Sequence, residues 1–265
     1  MYSTRVGIQV TILGSGSAGN CTLIETERTA VLVDAGLSHR QITQRLAGIQ
    51  RSLADIDAIL LTHEHSDHTN ALTVIGKNVA IPVYANRLTA EEVKTEDGVR
   101  ISWRLFTTGS AFEIGDLTIE PFSIPHDASD PVGYTLRDAA HAVAFVTDLG
   151  HATKLVVERI RGMDMVVLES NHDLKMLQDD TIRPWATKQR IMSRHGHLSN
   201  DDAAAVIGEI ASAKLQHIVL AHLSRDCNRP ELAQRTVEDK LKLVGATHIH
   251  TAVAHQLHPL PTVTL

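Results

Sequence analysis

The sequence predicts a mixed α/β layered fold, and three observations support this prediction. Short runs of apolar, often β-branched residues recur along the chain, and turn-forming residues bound each run. Between several of these runs lie stretches in which apolar residues repeat at helical spacing. The strand-like runs dominate the middle of the chain, whereas the helical stretches fall mostly between or after them. This order is typical of layered α/β proteins rather than of helical bundles or all-β sandwiches.

Eight short apolar runs are predicted to be buried strands. Each run is short for a core helix and favours extended backbone. In chain order, these runs are residues 10–13, 30–33, 58–61, 81–84, 117–122, 142–146, 165–168 and 217–221.

Four helices are predicted from apolar residues that share one helical face. The third follows residues 200–202, Asn-Asp-Asp, which can cap a helix, and the fourth follows Pro230. The residues that define the four faces are Ile42, Leu46 and Ile49; Leu155, Val156 and Ile160; residues 203–210; and Leu232, Val237 and Leu241.

Length and composition predict a single domain that spans residues 1–265. The chain is 43% hydrophobic and 21% charged, and no linker, internal repeat or low-complexity tract divides it. Aromatic residues make up only 3% of the chain, so the core must consist mainly of Val, Leu, Ile and Ala.

Charge and cysteine content predict a cytoplasmic protein without a membrane span. The formal net charge of −6 argues against nonspecific binding to nucleic acid. Residues 1–10 lack the pattern of a secretory signal, and no apolar window is long enough to cross a bilayer. Cys21 and Cys227 lie outside CxxC pairs and are typical of inert thiols in a reducing compartment. The sequence leaves the oligomeric state open.

Polar side chains directly follow several of the predicted strands. His63, Asp148 and His222 each come after an apolar run, and a weaker run places His126 in the same way. Rigid strands that release polar side chains at one edge of a sheet are a common way to fix a site in space. These four residues are therefore predicted to belong to one site.

The segment from His63 to His68, with the sequence HEHSDH, is the sharpest chemical signal in the chain. It offers three imidazoles and two carboxylates, which suit Zn²⁺, Mn²⁺ or Fe²⁺. One ion takes about three such ligands when a position stays open for water. Together with His126, Asp148 and His222, the segment therefore predicts two ions. Burial of these groups without a metal would carry a large desolvation cost.

The segment at residues 62–68, THEHSDH, resembles the HxHxDH signature of the metallo-β-lactamase fold superfamily. Further motifs resemble its branch called YycJ, VicX or WalJ. They are LGSGSAGN at residues 13–20, VDAG at 33–36, TDLG at 147–150, ESNHD at 169–173 and GHLSN at 196–200.

This resemblance implies a four-layer αββα sandwich with a di-metal site along one edge of the paired sheets. Asp34 would orient a ligand histidine, and Glu64 would point away from the ions or support their ligands. The implied ligands, for Zn²⁺ or Mn²⁺, are His63, His65 and His126 for one ion, Asp67, His68 and His222 for the other, and Asp148 as the bridge.

Such a site predicts hydrolysis by a water that two ions share and activate, giving a metal-bridged hydroxide as the nucleophile. Asp67 and Asp148 would have catalytic roles, since they would bind the ions and also hold that nucleophile. β-Lactam hydrolysis is not expected, because members with that activity lack an Asp at the bridging position, which Asp148 fills here.

The substrate is predicted to be a phosphodiester, and the resemblance to the YycJ, VicX or WalJ branch implies a DNA exonuclease as the leading hypothesis. Residues 181–199 carry three arginines, one lysine, Trp185 and no acidic residue, so they could hold a phosphate chain. A solvated basic helix face is the alternative interpretation. His172 or His197 could protonate the leaving oxygen. The candidate substrate-binding residues are Arg190, Arg194, Ser199 and Asn200, the last two at a helix N-terminus.

Two other functions stay open at this point. A thioester or lactone hydrolase could use the same di-metal site, and a narrow apolar pocket would favour that alternative. A regulatory protein could bind metal without turnover, but the complete set of candidate ligands argues against it. The favoured phosphodiester hypothesis predicts that the partner is nucleic acid or a small phosphodiester.

Overall fold

A computed structural model describes residues 7–96 and 98–265. The prediction that no secretory signal is present rests partly on residues 1–6, which lie outside the described residues. All eight predicted strands and all four predicted helices form. None of the helices in the described part of the chain is long and apolar enough to cross a bilayer. The division of the chain into a single domain stays a prediction.

Two seven-stranded sheets form the centre of the described structure. The first contains, in spatial order, β14 (Val263–Thr264), β1 (Gln9–Gly14), β2 (Cys21–Glu25), β3 (Ala30–Val33), β4 (Ala58–Leu60), β5 (Pro82–Asn86) and β6 (Ser102–Phe106). The second contains β13 (His250–Val253), β12 (His217–Ala221), β11 (Met165–Glu169), β10 (Ala142–Val146), β9 (Val132–Arg137), β8 (Leu117–Ser123) and β7 (Phe112–Ile114).

The helices connect and cover these strands. In chain order they are α1 (His39–Gly48), α2 (Ser66–Thr69), α3 (Leu72–Asn78), α4 (Arg87–Glu92), α5 (Lys154–Ile160), α6 (Leu174–Asp179), α7 (Trp185–Ile191), α8 (Asn200–Ile210) and α9 (Pro230–Leu243).

Three apolar clusters arrange these elements in four layers, αββα. One cluster joins the facing sides of the two sheets, and the others join each sheet to its helices. Strand β10 illustrates the arrangement, because successive side chains point to opposite faces. Val143 and Phe145 pack toward the first sheet, whereas Ala144 and Val146 pack with α5, α8 and α9. The predicted fold class is confirmed.

The helix starts follow ordinary capping rules, with one difference from the prediction. The hydroxyl of Ser199 accepts a hydrogen bond from the backbone N–H of Asp202 and caps α8. The cap is therefore Ser199, one residue before the predicted Asn-Asp-Asp start. Pro230 occupies the first turn of α9, where its missing N–H costs nothing.

Strand direction brings the ends of several strands to one edge. Strands β3 and β4 run parallel in the first sheet, and β10, β11 and β12 run parallel in the second. Strand β8 runs the same way, because it is antiparallel to β9, which is antiparallel to β10. Residues that follow these strands therefore meet at the carboxyl edge, where open α/β sheets usually bind ligands.

Candidate metal centre

The backbone is strained at three strand ends on this edge. Asp34 follows β3, Asp148 lies just beyond β10 and His222 follows β12, with φ angles of 62°, 58° and 54°. Non-glycine residues rarely adopt such angles, which cost about 1–3 kcal/mol each. Gln50, just beyond α1, is the fourth such residue in the described ranges. Three strained residues gathered at one edge make this edge the candidate functional site.

Three histidines form the first cluster of candidate metal ligands. His63, His65 and His126 each offer a ring nitrogen, and these three atoms lie within 4.8 Å of one another. The Nε2 atoms of His63 and His126 are buried, and neither has a hydrogen-bond partner among the described residues. Buried polar atoms without partners are costly, and a bound cation would satisfy them.

A second cluster lies beside the first, and Asp148 contacts both. Ligand atoms of Asp67, His68 and His222 lie within 4.8 Å of one another. Asp148 Oδ2 lies 3.1 Å from His68 Nε2, and its Oδ1 lies 3.5 Å from His222 Nε2. The same Oδ1 lies 3.7 Å from Nε2 of His126, a member of the first cluster. Asp148 therefore occupies the position of a bridge.

Three of the candidate ligand histidines have Nδ1 next to a hydrogen-bond acceptor. His68 Nδ1 lies 2.7 Å from Asp34 Oδ2, and His126 Nδ1 lies 3.0 Å from the backbone oxygen of Gly196. His222 Nδ1 lies 3.1 Å from an oxygen of Glu169. Such acceptors fix the tautomer and orientation of a metal-binding imidazole and direct Nε2 toward the ion.

The sequence comparison agrees with this geometry. The family model for the β-lactamase superfamily domain matches residues 29–223, which is most of the chain. The chain belongs to the β-lactamase superfamily. Two curated relatives also cover nearly the whole chain. Exodeoxyribonuclease YycJ of Bacillus anthracis is 36% identical over 91% of both chains. Exodeoxyribonuclease WalJ of Streptococcus pneumoniae (strain D39) is 37% identical over 90% of both.

Solved structures support the fold assignment of this superfamily member. The metallo-β-lactamase fold protein YhfI from Bacillus subtilis superposes with a TM-score of 0.71 and covers 97% of this chain and 99% of its own. The sequence identity is 15%, so this likeness concerns the fold. Membership of the superfamily implies that the domain binds divalent metal, and the histidine and aspartate clusters fit such a site.

Glu169, the first residue of the ESNHD motif, is a candidate site residue to which the sequence alone assigned no role. Its fully buried carboxylate accepts from the N–H groups of Leu149 and Leu198 and contacts Nδ1 of both His197 and His222. Burial opposes ionisation, but His197 and these hydrogen bonds outweigh it and lower the pKa of Glu169 to about 2. The available signal was a carboxylate at the end of a buried strand.

The carboxylates beside the candidate ligand histidines favour positive charge at the site. Burial opposes protonation of His222, but Asp148, Asp67 and Glu169 outweigh it and raise the pKa of His222 to about 10. The same balance, with Asp34 and Asp148 as the carboxylates, raises the pKa of His68. Divalent cations would displace these protons, because metal binding requires neutral imidazole.

The structure places the two candidate proton donors differently. His197 joins Asp148, Glu169 and His222 in one group of potential ligands, and its ring stacks on that of His222 at 5.2 Å. His172 belongs to none of the ligand groups found among the described residues, and it is only 2% exposed. Of these two histidines, His197 alone therefore belongs to a group of potential ligands, together with the bridging candidate Asp148.

The predicted substrate-binding residues fall into two kinds. Arg190 and Arg194 are exposed, and they contact Asp127 and His151, respectively. Ser199 caps α8, as described above. Asn200 is buried, and its side-chain amide is bonded to Ser170 and Asn228. Direct contact of Ser199 and Asn200 with substrate stays a prediction.

Gly36 is required by a close backbone approach, and its replacement gives the first testable prediction. A Cβ at this position would lie 1.6 Å from the backbone oxygen of Asp67. Gly36→Ala is therefore expected to displace the segment that carries Asp67 and His68. We expect weaker metal binding and a loss of stability of about 1–3 kcal/mol. Metal content and thermal unfolding measure both effects.

Gly48→Ala is the matched control, because a Cβ there meets nothing within 4 Å. Gly48 lies in α1, where alanine is expected to be neutral or slightly stabilising. Equal metal content and equal unfolding temperatures for Gly36→Ala and Gly48→Ala would contradict the prediction.

Proposed function

We propose that this chain is a di-metal phosphodiesterase that acts as an exonuclease on DNA. The observation that carries the proposal is the complete ligand geometry, in which Asp148 lies between two clusters of ring nitrogens and carboxylates. The extensive similarity to proteins named exodeoxyribonucleases supports DNA as the substrate. The alternative of a thioester or lactone hydrolase receives no such support.

Each cluster is proposed to hold one divalent cation, Zn²⁺ or Mn²⁺. Asp148 would contribute to both, and each cation would keep a position open for water and substrate. The proposed ligands are His63, His65 and His126 for the first cation, and Asp67, His68 and His222 for the second.

The bound cations would supply an activated water and would take up negative charge on the phosphate. The protein groups supply orientation. Asp67, whose side chain is partly exposed, has its Oδ2 3.4 Å from Nε2 of His222 in the second cluster. Asp67 and Asp148 can hold the attacking water by accepting its hydrogen bonds.

For the leaving-group proton we propose His197 rather than His172. Glu169 holds Nδ1 of His197 at 2.7 Å, so Nε2 is directed away from that carboxylate. Burial disfavours the imidazolium, but the carboxylates of Glu169 and Asp148 outweigh it and raise the pKa of His197. These two carboxylates therefore favour the protonated form of His197, which a proton donor requires.

His197→Ala is expected to lower kcat about 10²-fold, at the lower end of the effect of a positioned general acid. Both cations should stay bound, because His197 is not among the proposed ligands. Turnover and metal content of the variant would be measured together. Loss of a cation in this variant would overturn the acid role and make His197 a ligand instead.

The proposed reaction class can be tested with small substrates. Purified protein reloaded with Mn²⁺ or Zn²⁺ would be offered bis-(p-nitrophenyl) phosphate, a thioester and a lactone. We expect cleavage of the phosphodiester. Cleavage of the thioester or lactone alone would replace the phosphodiesterase proposal with its alternative.

A further inference from the structure

We infer that Arg190 binds a substrate phosphate next to the scissile one, and that Asp127 positions Arg190 for this task. The inference rests on the proposed nuclease function and deepens it. It adds one residue that would touch the substrate backbone and one residue that would act through it.

The geometry ties an exposed cation to the metal centre. Arg190 lies on α7, and its Nε lies 2.5 Å from Oδ2 of Asp127. The other oxygen of the same carboxylate, Oδ1, lies 3.3 Å from His126 Nε2, the atom that faces the first cluster. A single carboxylate therefore holds the guanidinium within a few ångströms of a proposed metal ligand.

The contact leaves the binding face of the guanidinium available. Asp127 accepts from Nε of Arg190. Nη1 and Nη2 of Arg190 donate to none of the other residues that the structure describes. The side chain of Arg190 is 65% exposed. Two parallel N–H groups can therefore meet two phosphate oxygens, which is the geometry that arginine prefers.

The loop that carries Asp127 is itself fixed. The backbone N–H of Ser129 donates to Oε1 of Glu64, which belongs to the HEHSDH segment. The side chain of Asn86 donates to the backbone oxygen of Asp130 at 2.7 Å. Because Glu64 and Asn86 anchor the loop that carries Asp127, its contact with Arg190 favours one position of the guanidinium relative to the cations.

Two of the other cations of the basic segment have their donors engaged within the protein, and a third, Arg194, contacts His151. Lys188 is buried and donates to backbone oxygens of neighbouring residues. Arg183 uses Nη1 on Asp180 and Nη2 on Asp226. Arg190 thus combines exposure with a direct link to the metal-bearing loop.

The experiment compares Arg190→Ala, Arg190→Lys and Asp127→Asn with Arg28→Ala. Arg28 is the matched control, since it is an exposed arginine paired with an aspartate, and it precedes β3 at the end of the strand away from the metal site. Single-stranded DNA and bis-(p-nitrophenyl) phosphate serve as substrates. Only DNA offers a neighbouring phosphate. Binding of labelled DNA by protein treated with a chelator supplies a readout that does not depend on catalysis.

Arg190→Ala is expected to raise KM for DNA about tenfold, and to impair cleavage of DNA more strongly than cleavage of the small diester, which offers no neighbouring phosphate. The slope of log affinity against log salt should fall by about 0.7, the contribution of one contact to a single strand. Arg190→Lys should restore this slope but not the full affinity, because an ammonium cannot engage Asp127 and phosphate as a planar fork does. Asp127→Asn should raise KM for DNA while metal content stays normal.

The inference is overturned if Arg190→Ala binds DNA like Arg28→Ala, or if it loses kcat equally on both substrates. It is also overturned if Asp127→Asn leaves KM for DNA unchanged. Failure of the wild-type protein to cleave DNA would instead refute the proposed function, and the chelator-treated binding comparison would still decide on Arg190.

Discussion

Asp148→Ala is expected to abolish phosphodiester cleavage and to reduce the number of bound cations. Among the residues that the structure describes, Asp148 is the one carboxylate that contacts ligand candidates of both clusters, His68 and His222 on one side and His126 on the other. Its loss removes negative charge from between two sites that must each hold a dication. Metal catalysis supplies several kcal/mol of transition-state stabilisation, so the rate should fall by about 10³-fold or more.

The measurement combines metal analysis of the purified variant with its rate on bis-(p-nitrophenyl) phosphate. Asp239→Ala is a suitable control, since it makes the same chemical change at a surface ion pair on α9. That control should retain both cations and full activity. Two bound cations and normal turnover in Asp148→Ala would mean that Asp148 does not bridge the site.

Glu169→Gln is expected to have the next largest effect, although glutamine has nearly the same shape. The carboxylate meets four N–H groups, two from backbone and two from imidazoles. A glutamine side chain presents only one oxygen, and its NH₂ group would face donors instead of accepting from them. We expect metal affinity or activity to fall about 10–100-fold, as when other groups that orient metal ligands are replaced.

Metal titration of chelator-treated protein, followed by activity at saturating metal, would measure this effect. The comparison is Glu120→Gln, because Glu120 lies on β8 and forms an ion pair with Arg159 outside the metal centre. A Glu169→Gln variant with the metal affinity of Glu120→Gln would show that Glu169 serves only the packing of the strands.

The parts of the fold that could be predicted are those whose signal is local. Strands β3, β10 and β11 are uninterrupted apolar runs that read as buried strands without reference to the rest of the chain. Strand β9 was missed because Gly133 and Thr135 break its apolar pattern, although five of its six residues are buried. Strands β6 and β7 lie at sheet edges and are half exposed, so their sequences lack the continuous apolar run of a buried strand.

The site residues, like the strands, divide into those with a local signal in the sequence and those without one. The dense segment HEHSDH and the residues after strands led to His63, Asp148 and His222, which the structure brings together. Glu169 ends a buried strand as well, but a single carboxylate does not reveal that four donors converge on it. Asp127 had no local signal, because its partner Arg190 lies 63 residues away along the chain.

Under the proposed function, the chain degrades DNA from its ends with a di-metal site. The most direct test is the incubation of end-labelled linear DNA and covalently closed circular DNA with metal-reloaded protein, beside an Asp67→Ala variant. We expect linear DNA to be shortened progressively and circular DNA to survive, and we expect the Asp67→Ala variant to leave both intact. Intact linear DNA after incubation with protein shown to carry two cations, or equally fast cutting of circular DNA, would contradict the proposed function.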